Sequence, residues 1–253
     1  MSFAGGGYCE EGLWQLVESG RYTADLGTWS GLASQAGSPV LDLGCGIGRV
    51  SHHLNRLGHT TVGLDRDPGL IADFDRTRPP GAPAGIAWDA TALDTPPEAL
   101  AERRFRLIIA PQQLVQIIGG REARLRLFRS IPRLLYDGGV AAFAICEELP
   151  ETPIDYPSVP PDLREVAEWV HSSQPVAIEP ADGSVTALRI RESLAPDGTS
   201  VRSKDSITID RLDRNAIEAE MRTAGLLAAG AGAISETDRH MGSTVILARA
   251  PLS

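Results

Sequence analysis

Residues 40–67, VLDLGCGIGRVSHHLNRLGHTTVGLDRD, constrain this chain more than any other stretch. An apolar run, Val40, Leu41 and Leu43, enters a loop with glycines at 44, 46 and 48, and that loop opens a helical pattern through Val50, Leu54 and Leu57. The order reads as strand, tight turn and helix. Gly58 stops the helix, and Thr60-Thr61-Val62-Gly63-Leu64 reads as a second buried strand ending on Asp65. This is half of a nucleotide-binding βαβ unit.

Spacing decides which ligand such a turn suits. The pattern is Asp42-x-Gly44-x-Gly46-x-Gly48, with Arg49 where a dinucleotide fingerprint places its third glycine or alanine. A carboxylate beside the loop repels a pyrophosphate and favours a cation. S-adenosylmethionine has no phosphate, carries a sulfonium and an ammonium, and ends in a ribose whose hydroxyls suit a carboxylate such as Asp65. These residues resemble the class I S-adenosylmethionine-dependent methyltransferases. The resemblance implies that the stretch from Asp42 through Gly44, Cys45 and Gly46 holds the methionine moiety, and that Asp65, with Arg66 beside it, holds the ribose. It implies a doubly wound, mostly parallel sheet of seven strands, Rossmann-like, with a reversed last hairpin.

Composition narrows the partners. At 253 residues the chain fits one large α/β domain, or a core with a cap. A net charge of -9 argues against a nucleic-acid backbone or an anionic membrane surface as the main partner. No basic-then-apolar leader is present, and no run approaches the ~18 apolar residues of a membrane span. The expectation is a cytoplasmic protein, monomer or homodimer, acting on a small molecule. Cys9, Cys45 and Cys146 are odd in number and far apart, which fits reduced thiols and neither a disulfide frame nor a metal site.

In chain order, residues 1–8 are glycine-rich and loose, and Leu13, Leu16 and Val17 give a first helix ended by Gly20. Asp25, Leu26, Trp29, Leu32 and Ala33 give a second, running to Gly37. The resemblance implies that Tyr22 caps the methionine end of the cofactor; the plain alternative is a surface tyrosine. Pro68 begins a helix closed by Pro79-Pro80, and residues 86–88 form a short strand before Asp89-Ala90-Thr91. By the same resemblance Asp89 and the backbone at Ala90 face the adenine. Residues 106–110 read as a strand, apolar throughout after Arg106 as in a strand buried on both faces, and open into Pro111-Gln112-Gln113-Leu114-Val115-Gln116. That turn lies at the carboxyl ends of the strands, where open α/β sheets bind ligands. It places Pro111 with the cofactor set and Gln112, Gln113 and Gln116 as candidates for the substrate.

A helix through Leu125, Phe128, Ile131 and Leu135 is expected to stop at Asp137-Gly138-Gly139, followed by a fifth strand over residues 140–146 with Glu147 at its end, a further substrate candidate. Prolines at 150, 153, 157, 160 and 161 then mark a connector. Residues 162–170 read as a helix, and residues 185–194 and 201–210 as a hairpin about Pro196-Asp197-Gly198-Thr199. The expectation is a methyltransferase core over residues 1–148 and 211–253 with an α+β lid over 149–210. A helix from residue 212 to 224, a strand over 226–234, a loop with His240 and a strand over 244–250 complete the core.

The implied activity is transfer of a methyl group from S-adenosylmethionine to a small molecule. A sulfonium is already electrophilic, so holding the nucleophile in line carries most of the catalysis. A general base is needed only for a protonated nucleophile, and His171 and His240 are the candidates by position. Other readings stay open: use of the same cofactor without methylation, as in cyclisation or aminocarboxypropyl transfer, and a binding module without turnover. A nicotinamide dehydrogenase is disfavoured by Asp42 and Arg49.

Overall fold

The computed structural model describes residues 6–156 and 159–251. Residues 1–5 of the glycine-rich opening and Pro157 of the connector lie outside them. The chain divides into two compact units: one runs up to Tyr22 and resumes as Leu149–Arg211, and the other comprises Thr23–Glu148 and the residues from Leu212 onward.

The larger unit holds helix α2 (Leu26–Ala36), strand β1 (Val40–Leu43), helix α3 (Arg49–Arg56), β2 (Thr61–Asp65), α4 (Pro68–Thr77) and β3 (Ile86–Ala87). It continues with a 3-10 turn (Ala90–Ala92), α5 (Glu98–Ala101), β4 (Phe105–Ala110), α6 (Leu114–Ile117), α7 (Gly120–Leu134) and β5 (Leu135–Ile145). After the insertion come α8 (Arg214–Thr223) and two last strands, Leu227–Ile234 and Ser243–Arg249. The helix of residues 10–18, α1, belongs to the smaller unit, not to the core as the sequence suggests.

Seven strands form one sheet in the order Leu227–Ile234, Ser243–Arg249, β5, β4, β1, β2, β3. The ladders from β5 to β3 are parallel, whereas the last two strands run antiparallel, so the reversed hairpin expected from the sequence is present. Strand order reverses at β1, which lies between β4 and β2, and ligands of open α/β sheets bind outside the carboxyl ends at such a point. Leu41, Leu43, Val62, Leu64, Ile108 and Phe143 form the core on one side of the sheet, with Phe128 edge-on to Phe143 at 5.1 Å. Val40, Leu107, Ile109 and Ala142 form it on the other, under Trp29, Val50 and Leu54. Helix α3 is tied to β2 by Asn55, whose amide donates to the Thr61 carbonyl and accepts from the Thr61 N–H. The Asp137-Gly138-Gly139 turn interrupts β5 from within, since the ladder jumps from Phe105–Leu135 to Leu107–Val140.

The smaller unit is a five-stranded sheet of β6 (Ile154–Asp155), β7 (Asp162–Val166), β8 (Trp169–Ala181), β9 (Ser184–Leu194) and β10 (Ser200–Asp210) with α1 on it. The hairpin expected at Pro196-Asp197-Gly198-Thr199 is β9–β10, paired from Ser200–Leu194 to Asp210–Ser184. The helix expected over 162–170 is instead a second hairpin: Val166 pairs with Trp169 across Ala167 and Glu168, at φ +50° and +69°. Positive φ at both central residues is the type I′ geometry that matches strand twist. The insertion is therefore all strand, and its helical component comes from the N-terminal segment. Arg191 fastens α1 to the sheet: its Nε and one terminal nitrogen donate to the two oxygens of Glu18 at 2.8 and 3.0 Å, and its guanidinium lies 5.3 Å from the Trp14 ring.

Candidate functional site

The turn after β1 is built by backbone that few side chains tolerate. Gly44, Gly46 and Gly48 have φ of +66°, +54° and +94°. A Cβ on Gly48 would stand 2.3 Å from Nε2 of His52, and one on Gly44 would stand 2.9 Å from Leu114. Glycine is therefore required twice over at 44 and 48, by the left-handed backbone and by the side chains of Leu114 and His52 that fill the space a Cβ would take.

Asp42 lies under this loop, 1% exposed. Ser51 on α3 donates to its Oδ2 at 2.6 Å, while Oδ1 is buried with no hydrogen-bond partner. Burial raises the carboxyl to about 7, against the lowering pull of Ser51 and Arg49. A buried oxygen without a donor is uncommon and asks for an explanation. Cys45 is filler: its N–H donates to the Leu64 carbonyl, its sulfur packs with Ile71 and Phe74, and burial drives its thiol far above the ordinary range.

Asp65 ends β2 beside the loop. Its Oδ2 accepts from the Gly46 N–H at 3.0 Å and its Oδ1 from the Asp67 N–H at 3.1 Å. Arg66 next to it is exposed. The Trp88 N–H donates to the Asp65 carbonyl, which carries β3 on to Asp89. There Oδ1 of Asp89 accepts from the N–H and hydroxyl of Thr91 at 2.7 and 2.8 Å, starting the 3-10 turn at buried Ala90. The parallel registers Asp42–Gly63, Asp65–Ala87 and Ile109–Asp42 bring Gly44, Asp65, Asp89 and Pro111 to one edge of the sheet.

The three glutamines after β4 separate. Gln116 is 1% exposed, and its amide accepts from the Cys146 N–H at 2.7 Å and donates to the Cys146 carbonyl at 3.0 Å. That side chain clamps the end of β5 and faces inward. Gln113 donates to the Ser243 hydroxyl at 3.0 Å. Gln112 is exposed. Gln112 and Gln113 both have left-handed backbone, φ +52° and +59°, a conformation that costs about 1–3 kcal/mol per non-glycine residue. Glu147 is engaged at the start of α8, accepting from the Arg214 N–H at 2.7 Å and from the Thr244 hydroxyl.

The histidines also separate. His171 is not at a helix end but inside β8, 0% exposed, with Nδ1 2.8 Å from the Ser193 hydroxyl and its ring between Trp14 and Trp169. Burial lowers its pKa below the ordinary value, and the ring packs within the smaller unit. His240 sits half-buried in the loop between the last strands, where its N–H donates to the Thr237 hydroxyl at 3.0 Å. Tyr22 is half-buried at the end of the smaller unit's N-terminal segment. Among the described residues no cluster suited to a metal ion occurs, and no helix is long and apolar enough to cross a membrane.

One pair escaped the sequence reading. Arg49, noted there only as a missing glycine, donates through both terminal nitrogens to the two oxygens of Asp25 at 2.7 Å each, and Asp25 also accepts from the Trp29 indole at 2.9 Å. The signal was a cation in the first turn of α3, where the helix dipole disfavours it and a buried acid must compensate.

No curated protein sequence matches the chain. A family model described as methyltransferase domain matches residues 40–139. Among solved structures, the sugar N-methyltransferase KedS8 from a Streptoalloteichus species is similar at a TM-score of 0.72 and 16% identity, covering 94% of this chain and 92% of the other. An S-adenosylmethionine-dependent methyltransferase from Clostridium acetobutylicum gives 0.70 and 15%, covering 94% and 96%. CalS10, an amino pentose methyltransferase from Micromonospora echinaspora, gives 0.69 and 18%, covering 93% and 95%. At these identities the structures speak for the fold, and the family match speaks for the glycine-turn half of the core. Together with the strand order, they show a methyltransferase domain over residues 40–139 and, for the larger unit, the seven-stranded fold of S-adenosylmethionine-dependent methyltransferases.

Proposed function

We propose that the protein moves the methyl group of S-adenosylmethionine to a nucleophilic atom of a small molecule, by holding the acceptor in line rather than by activating it. The observation that carries this is the convergence of a side-chain-free glycine turn with Asp42 and Asp65 at the switch point of the sheet. The residues suit the cofactor. Oδ1 of Asp42 lacks a donor that an ammonium, directly or through water, supplies. Asp65 accepts one N–H on each oxygen, and a carboxylate has about four lone-pair sites, so two remain for ribose hydroxyls. On this reading Asp89 and Ala90 serve the adenine, the backbone at Cys45 serves the methionine end, and Arg66 and Pro111 border the same edge of the larger unit's sheet. When bound, S-adenosylmethionine supplies an electrophilic methyl group.

Amino sugars are the acceptor class to test first, supported by the sugar N- and amino pentose methyltransferases among the similar folds. A base is needed only for an acceptor that arrives protonated, and His240 is the candidate for that case. The test is incubation with S-adenosylmethionine and a panel of amino sugars, simple amines and phenols, read by mass spectrometry. S-adenosylhomocysteine with a methylated acceptor is expected. Release of methylthioadenosine, or tight S-adenosylhomocysteine binding with no product from any acceptor, would replace this reading.

A further inference from the structure

The turn after β4 holds two adjacent long side chains, Gln112 and Gln113, on left-handed backbone. Glycine or asparagine meets that geometry with far less strain, so the position keeps glutamine against its conformational preference. Such backbone persists only where its surroundings over-determine it. Here they do: Pro111 is buried, Gln113 is bonded to Ser243, Leu114 closes against Gly44, and Gln116 is clamped on both sides of Cys146. Every residue around the apex is fixed to the sheet. Gln112, at the apex, is exposed, and among the described residues its amide makes no hydrogen bond.

The apex stands at the cofactor's edge of the sheet. Ile109 pairs with Asp42 in the β4–β1 ladder, so Gln112 follows three residues beyond that partner and two before the side chain that covers Gly44. We infer that Gln112 is the residue that orients the methyl acceptor, its amide binding a polar N–H or O–H group of the substrate next to the glycine turn, and that Gln113 and Gln116 hold the turn that presents it. The inference rests on the methyl-transfer reading above. A primary amide suits a hydroxylated amine because its carbonyl accepts from N–H or O–H while its NH₂ donates to a neighbouring hydroxyl. It does not ionise, so it fixes direction and leaves proton transfer to solvent or to another group.

Gln112→Gly separates orientation from structure, because glycine adopts φ near +50° without strain. Its melting temperature should match or exceed that of the wild type, and S-adenosylhomocysteine affinity should stay within about twofold. Binding of the best amino-sugar acceptor to the S-adenosylhomocysteine complex, measured by calorimetry, should weaken about tenfold or more, with a similar fall in kcat/KM. Gln112→Asn, which tolerates the left-handed region and retains an amide, should recover part of both. Unchanged acceptor binding and kcat/KM in Gln112→Gly would overturn the inference alone, as would a marked loss of thermal stability or of S-adenosylhomocysteine binding. A wild type that binds S-adenosylhomocysteine yet methylates nothing in the panel would overturn the proposed function, and this inference with it.

Discussion

Arg49 and Asp25 meet at the start of α3 in a two-pronged pair with both contacts at 2.7 Å, their side chains 13% and 2% exposed. The pair ties the residue that follows the glycine turn to the N-cap of α2. Removing one member leaves a buried charge alone, which typically costs about 3–5 kcal/mol. Arg49→Ala should lower the unfolding free energy by that order in urea titration, and Arg49→Lys should recover little, since an ammonium cannot reproduce the fork. A loss below about 1 kcal/mol would mean that water reaches Asp25.

Asp42 gives a pH dependence with a defined sign. Its folded carboxyl holds a proton up to about 7, whereas the ordinary value is 3.8. Between those values the folded state keeps a proton that the unfolded chain has lost, so this group's contribution to stability falls as pH rises, by about 4 kcal/mol at most, and levels off above 7. Asp42→Asn should remove that slope. An ammonium facing Oδ1 favours the charged form, so wild-type affinity for S-adenosylhomocysteine should weaken below pH 7, by up to about tenfold per unit, and flatten in Asp42→Asn. Calorimetry from pH 5.5 to 8 checks both arms. Parallel profiles in the two proteins would remove Asp42 from the ligand's contacts.

Asp65→Ala should weaken S-adenosylhomocysteine by about 1.5–3 kcal/mol, the range for losing a charged hydrogen-bond partner. The same substitution frees the Gly46 N–H, so part of that loss comes through a looser turn. Asp65→Asn retains an acceptor for Gly46 and separates the two contributions. Equal affinity of all three proteins would sink the ribose assignment.

His171→Ala should lower stability by about 1–3 kcal/mol as a core substitution, with the pH profile of turnover unmoved. Because burial lowers its pKa from 6.5, its stabilising contribution is present above that value and is lost as pH falls through the folded value. A variant of full stability whose turnover drops selectively near neutral pH would restore the residue to catalysis.

The legible parts of the chain were those fixed by local chemistry. The glycine turn and the strands beside it follow from spacing, and the reversed hairpin was implied by the family resemblance those residues carry. Residues 162–170 misled because Leu163, Val166 and Val170 repeat at helical intervals, while the turn between β7 and β8 is Ala167-Glu168, without the glycine or asparagine that marks such turns. Long-range pairing of β8 with β9 overrode the local pattern. The contacts of Gln116 and Glu147 were hidden for a related reason: their positions at strand ends were readable, but their partners, Cys146 on one side and Arg214 and Thr244 on the other, lie far along the chain.

The smaller unit is split across the sequence, and synthesis must deal with that split in time. Helix α1 emerges first, yet Leu13 and Trp14 are buried in a unit whose other strands begin at Ile154. At about 5–20 residues per second, the ribosome leaves that apolar stretch waiting for roughly ten to thirty seconds before β9 is complete. Meanwhile β1 to β5 have been made. A chaperone that recognises short apolar segments therefore has its longest opportunity at residues 13–17, and slowing translation beyond residue 150 should lengthen that engagement.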